Sequence, residues 1–319
     1  MSQRHAKPFT PFEVDWGAFA PLRLRARAVA EGVWAGAHRS VRKGAGVEFG
    51  GQRPYVPGDD LRYLDRRSLL RHDRLLVREF ETETDCALWL LVDATASMGF
   101  RGKGPGSKFA FGALVAAALA RVALAGGDPV GLAVLGGSAP ALVPPSAASD
   151  TFDRVVDHLE RSSAGGDWSE NDAELERTLG PVRERARRGA RFVLVSDLVD
   201  LPTTTQRALA SLGTRGRRPY AAMVLSPDEA TLPFTEFARF RPLEGGDAIE
   251  ADPEAARTAY LEQLEALVST YRTTLVRHGG ELVRLTTTDD PVEAVRAIVR
   301  AIAGEARGGV GAKGTSPWG

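Results

Sequence analysis

The chain predicts an α/β fold, a doubly wound and mostly parallel sheet with a smaller basic N-terminal extension. Three observations carry this. Residues 87–92 (Ala-Leu-Trp-Leu-Leu-Val) form a continuous apolar run ending on Asp93, the pattern of a strand covered on both faces. Residues 192–195 (Phe-Val-Leu-Val) repeat it and end on Ser196-Asp197. Around them, apolar strands alternate with segments of helical period, which calls for parallel crossovers.

At 319 residues the chain can fill one large or two modest cores, and 43% hydrophobic with 26% charged residues is ordinary for a globular protein. The 41 basic and 41 acidic residues cancel, but unevenly. Residues 1–80 hold 15 Lys and Arg against 9 Asp and Glu, a surplus that the remainder reverses. Such a head is a solvated face or a surface for an acidic partner. Aromatics are not interleaved with its arginines, which argues against nucleic acid. Arginine outnumbers lysine 36 to 5, which reads as coding bias. Cys86 is the one cysteine, so no intrachain disulfide can form. Residues 1–32 lack the apolar run of a signal peptide. The apolar stretch 109–125 contains Gly112 and Arg121 and reads as a core helix rather than a membrane span. A cytoplasmic location is therefore expected.

Taken in order, residues 1–17 are irregular, and 22–37 shows helical spacing through Val29, Val33 and Trp34. Glycines and prolines across 44–62 are expected to break regular structure. Within that stretch, Pro57-Gly58-Asp59-Asp60 is a turn whose acids stand near Arg53, Arg62, Arg66 and Arg67, an ion-pair lattice. Residues 75–82 alternate as an extended lead into the central strand. The glycine-rich loop 99–108 aligns with no G-x-x-x-x-G-K-[ST] motif, and Pro105 removes one backbone donor. It is read as flexible rather than phosphate-binding. Helix 109–124 and strand 130–135 follow, and 140–145 suits an edge strand because Pro144 and Pro145 would damage a central one. Helices at 150–161 and 172–188 flank a donor-rich loop led by Gly165-Gly166. After strand 190–198 come helix 203–212, strand 220–225, a hairpin within 234–252, helix 253–278, strand 282–286 and helix 292–303. The expected units are an extension at 1–83 carrying Arg-Pro-Tyr-Val-Pro-Gly-Asp-Asp, the α/β domain at 84–304 and a disordered tail at 305–319.

Asp93, Thr95 and Ser97 read D-x-T-x-S at the carboxyl end of the central strand, where open α/β sheets place ligands. All three are hard oxygen donors suited to a small divalent cation, Mg²⁺ or Mn²⁺. Asp197 leaves the second strand, and Asp167, Ser169 and Asp172 offer a further donor from the loop between. The competing reading is an acid that merely caps the next helix. Five scattered histidines and one cysteine make no zinc set, and no G-x-S-x-G elbow occurs. Aspartyl-phosphate chemistry at Asp93 would want an acid two residues on, where Thr95 stands.

The Asp-Ala-Thr-Ala-Ser-Met run from Asp93 resembles the D-x-S-x-S element of the metal-ion-dependent adhesion site in von Willebrand factor A domains, and Ser196-Asp197 resembles its third element. Residues 46–49, 53–62 and Leu64-Asp65 resemble the signature of a bacterial family known as domain of unknown function 58, the likeness running from residue 36 to residue 198. Thr95 stands where that site prefers Ser, Arg66 where the family often has Trp, and Asp167 follows Gly165-Gly166 where a Thr is usual. The resemblance implies a Rossmann-type von Willebrand A-like domain with Asp93, Thr95, Ser97, Asp197 and Asp167 about a cation, and with no catalytic residue. It implies a non-enzymatic adaptor of a MoxR-type AAA+ ATPase, in protein complex maturation, with an acidic side chain of the partner completing the cation. The alternative is a metal-dependent hydrolase or phosphatase using the same oxygens. Arg53, Tyr55, Asp59, Asp60, Arg62 and Asp65 are expected to brace the extension or to form a docking surface.

A carboxylate at 167 would neutralise the positive charge that draws a partner's acid. Unit charges ~4 Å apart interact by about 4 kcal/mol at an effective dielectric of about 20, enough to change the outcome. Asp167→Thr is therefore expected to weaken Mg²⁺ binding and to strengthen metal-dependent partner association, both read by calorimetry. If neither affinity changes, Asp167 lies outside the shell and Ser169 or Asp172 takes its place.

Overall fold

The computed structural model describes residues 21–37, 48–54, 76–81, 87–137, 141–165, 172–199, 201, 203–235, 238–240 and 249–304. Helix α1 (Leu22–Ala37) comes first, followed by the antiparallel hairpin of β1 (Glu48–Pro54) and β2 (Leu76–Glu81). Part of the 44–62 stretch thus forms a strand, contrary to the expectation from its glycines. A register shift between Phe49 and Gly51 absorbs the irregularity as a bulge, and Pro54 ends the pairing where its missing N–H costs least.

Strand β3 (Leu88–Asp93) is buried at all six positions. It pairs in parallel with β4 (Val130–Leu135) on one side and β6 (Arg191–Ser196) on the other. Beyond β6 lie β7 (Arg218–Leu225) and β10 (Leu282–Thr286), also parallel, while β5 (Ala141–Ser146) closes the far edge antiparallel to β4. The six-stranded order is β10-β7-β6-β3-β4-β5, with the Pro144-Pro145 strand at the edge as expected. Chain order runs outward from β3 in one direction and later resumes from β6 in the other. The carboxyl ends of β3 and β6 therefore flank the switch point where such sheets take ligands. A short pair, β8 (Ala238–Phe240) with β9 (Ile249–Ala251), is the expected hairpin.

Alternate side chains feed two cores. On one face Leu88, Leu90 and Val92 meet α1, α2 (Lys108–Ala125), α3 (Thr151–Arg161) and α8 (Pro291–Ala303). On the other, Trp89 and Leu91 meet α4 (Asp172–Arg185), α5 (Thr203–Leu212) and α7 (Pro253–Arg277). The five-residue helix α6 (Pro227–Thr231) follows β7 directly. Helix α2 is long and apolar enough by composition to cross a membrane, and 67% of it is buried inside the domain.

Helix α1, assigned by sequence to the extension, is part of this layer. Ala26, Val29, Ala30 and Val33 are buried in it. Arg23 bonds Asp153 and Asp157 of α3 at 3.0 and 2.9 Å, and the guanidiniums of Arg27 and Arg121 lie 5.6 and 5.7 Å from the Phe152 ring centre. Burying a valine contributes about 1.5–3 kcal/mol, against about 0–1 kcal/mol for a half-exposed ion pair, so apolar packing decides the docking. A boundary at residue 83 does not separate α1 from the domain. Tyr55, Asp59, Asp60, Arg62 and Asp65 lie outside the described residues, and Arg53 is a β1 residue opposite Val77.

Gly112 lets α2 approach β6: a Cβ there would sit 2.8 Å from Val195 Cγ1, one residue before Ser196. Gly112→Val is expected to lower stability by about 1–3 kcal/mol through overpacking, as read from denaturant melts. An unchanged midpoint would show that α2 does not bear on β6 in solution.

Candidate cation site at the β3–β6 switch

Asp93 ends β3 with none of its surface exposed. Its Oδ1 accepts from the Thr95 backbone N–H at 2.9 Å, which turns the chain sharply after the strand. That turn leads into a 3₁₀ segment (Ala96–Gly99) and brings Thr95 Oγ1 within 3.1 Å of Ser97 Oγ. Thr95 is fully buried and Ser97 half-buried. From the neighbouring strand, the Ser196 hydroxyl donates to Asp93 Oδ2 at 2.6 Å and accepts from the Leu198 N–H at 3.0 Å. Asp197, also buried, accepts from the Val199 N–H at 3.2 Å. Leu198 sits in the left-handed region at φ 58°, a strained turn for a branched side chain.

The structure thus brings Asp93, Thr95, Ser97 and Asp197 together at the carboxyl ends of β3 and β6. Asp167 and Ser169 lie outside the described residues, and Asp172 opens α4. Their loop starts beside the site, because the Gly165 N–H donates to the Ala94 carbonyl at 2.8 Å. Among the described residues no three His, Cys, Asp or Glu converge as metal ligands. A shell built from the described residues draws on hydroxyls, and Asp93, Thr95 and Ser97 supply hard oxygens for one.

Two participants were not assigned from sequence. The Lys108 ammonium, 1% exposed at the head of α2, donates to Asp197 Oδ2 at 2.7 Å and to Glu229 Oε1 at 2.5 Å. Glu229 belongs to a capping box on α6: Ser226 Oγ accepts from its N–H at 3.1 Å, and its Oε2 accepts from the Ser226 N–H at 2.8 Å. The signal was present as Ser226-Pro227-Asp228-Glu229, the S-x-x-E pattern with Pro at the first helical position. The Tyr260 hydroxyl of α7 donates to the Glu229 carbonyl at 2.7 Å.

The 99–108 loop, expected to be flexible, is fastened over this edge. The Lys103 N–H donates to Asp228 Oδ2 at 2.8 Å, and the Lys108 N–H to the Phe100 carbonyl at 3.0 Å. Gly102 adopts φ +54° with no room for a Cβ beside Asp228.

Burial, and then the charge of Asp197, push the Asp93 carboxyl up to about 7, although its bonds from Ser196 and Thr95 pull it down. Burial alone would lower the Lys108 ammonium, but Asp197 and Glu229 outweigh it and raise it above the ordinary lysine value. Burial, then Glu229 and Asp197, push the Tyr260 phenol up to about 12.

A doubly wound sheet with a D-x-T-x-S turn at its switch point defines the class: a von Willebrand A-like domain. The chain belongs to the family described as protein of unknown function DUF58, which matches residues 51–268. Uncharacterized protein Rv1480 of Mycobacterium tuberculosis is 28% identical over 270 residues, 84% of this chain and 80% of that protein. Among solved structures, BatB from Bacteroides thetaiotaomicron is 16% identical with a TM-score of 0.44, over 69% of this chain and 98% of that one. A von Willebrand factor type A protein from Catenulispora acidiphila is 11% identical with a TM-score of 0.36, over 70% and 42%. An aerotolerance-related membrane protein from Bacteroides fragilis is 16% identical with a TM-score of 0.40, over 68% and 98%. The expected plainly cytoplasmic location is corrected by this last finding: a structural neighbour is named as a membrane protein, and the assignment is withdrawn.

The raised Asp93 carboxyl sets a pH dependence for the metal-free chain. Native Asp93 holds its proton from about pH 4, where an unfolded aspartate releases it, up to about 7. The native state binds more protons in that window, so this group's stabilisation is lost as pH rises through it. Melts in chelator between about pH 4.5 and 7.5 should show Asp93→Asn losing this downward component relative to the parent chain. Identical slopes would place its origin in another group.

Proposed function

We propose that this chain is a non-enzymatic adaptor that binds protein through a divalent cation and acts with a MoxR-type AAA+ ATPase in protein complex maturation. The observation that carries the reading is the fully buried Asp93 at the switch point, with the Thr95 and Ser97 hydroxyls 3.1 Å apart beside it. Mg²⁺ or Mn²⁺ held by Asp93, Thr95, Ser97 and Asp197 would offer a Lewis-acid point to an acidic side chain of the partner. Asp93 anchors that set from the rigid end of β3. The Thr95 N–H bond to its Oδ1 fixes the turn that presents the hydroxyls. Neutral hydroxyls leave more of the cation's charge unspent than carboxylates would, which favours capture of an external acid.

The crevice supports binding better than hydrolysis. Ser196, which donates to Asp93 and accepts from the Leu198 N–H, is 1% exposed, so an external substrate does not reach its hydroxyl. The ATPase partnership rests on the family resemblance. Calorimetry with a MoxR-type AAA+ ATPase from the same organism is expected to show association in Mg²⁺ that is lost in chelator and in Asp93→Ala. Association indifferent to both would overturn the reading, and Mg²⁺-dependent phosphoester turnover abolished by Asp93→Ala would replace it with a hydrolase.

A further inference from the structure

Lys108 breaks two local rules at once. A lysine is almost never fully buried, yet this one is 1% exposed. It also occupies the first position of α2, where the helix dipole disfavours a cation and where no acid of the first turn offsets it. The helix does not need it, since Ser107 already caps the end by accepting from the Ala110 N–H at 3.1 Å. What holds the ammonium is a pair of carboxylates from other elements, Asp197 after β6 and Glu229 in α6. The Phe100 ring, 5.9 Å away, shields it further.

The charges have a consequence for the cation site. Once Asp93 is ionised, Asp93, Asp197 and Glu229 set three negative charges against one ammonium, and a divalent cation would close that count to zero. Asp197 Oδ2 is at the same time already engaged by Lys108. We propose that Lys108 is a tethered counter-ion of the cation site. It keeps Asp197 in position when no metal is bound and competes with the metal for that carboxylate, which lowers divalent affinity and keeps the metal exchangeable. This rests on the cation-dependent reading above. Lys108 acts through Asp197 and is a positioning residue, not a ligand.

The test is calorimetric titration of Mn²⁺ alone into the full chain and into Lys108→Met, with melts of both in chelator and in Mn²⁺. Removing a unit charge from beside the site should tighten Mn²⁺ about tenfold or more. The variant's melting temperature should fall in chelator and recover with Mn²⁺ by more than the parent's does. A merely structural lysine would weaken Mn²⁺ binding on removal, so unchanged or weaker affinity overturns the proposal. If Lys108→Met fails to fold, Lys108→Gln keeps a donor for both acids without the charge, and the same tightening is required of it. Mn²⁺ binding to neither parent nor variant would instead overturn the cation site itself, and the counter-ion role with it.

Discussion

Two carboxylates delivered to the ends of adjacent buried strands repel each other where water cannot screen them, and much of the site's construction answers that repulsion. Asp93 and Asp197 arrive there because β3 and β6 pair in parallel and end at one level. Desolvating a carboxylate costs several kcal/mol even after relaxation. Backbone N–H groups of Thr95 and Val199 and the Ser196 hydroxyl each offset part of it. Hydrogen bonds to charged groups contribute about 1.5–3 kcal/mol each, which does not remove the mutual repulsion of the acids. A positive charge offsets a further part of it, and Lys108 brings one to Asp197.

The sheet was legible in the sequence because its strands are buried on both faces and read as continuous apolar runs. The edge place of the Pro144-Pro145 strand was legible too, since two prolines would damage a central strand. Asp93, Thr95, Ser97 and Asp197 could be placed for the same reason: a polar residue closing such a run has only the crevice to enter. Lys108 and Glu229 were not legible. Their partnership spans 121 residues and that of Lys108 with Asp197 spans 89, and nothing local marks either. A lysine heading an apolar helix looks like a solvated charge until the strand ends are in place.

The same limit applies to α1. Its buried residues Ala26, Val29, Ala30 and Val33 are small, and arginines surround them, so the segment reads as part of a basic head. Only the packed structure shows Arg23 facing Asp153 and Asp157 and the Arg296 guanidinium donating to the Gly32 carbonyl. The basic surplus of residues 1–80 is thus partly spent inside the domain. Less of it remains for an acidic partner than the count implies.

The identity of residue 108 is informative in a chain with 36 arginines and 5 lysines. Where any cation serves, this sequence writes arginine. At 108 the available space lies within the first turn of a buried helix, between two acids reached from different directions at 2.7 and 2.5 Å. A guanidinium presents its donors in a rigid plane and favours a single carboxylate held side by side. An ammonium is compact, with three donors arranged about a point, and can bridge two carboxylates that do not share a plane. The geometry therefore selects lysine against the chain's own bias. It also selects the basic side chain closest in size and charge distribution to a small metal ion, which is what a competitor for Asp197 requires.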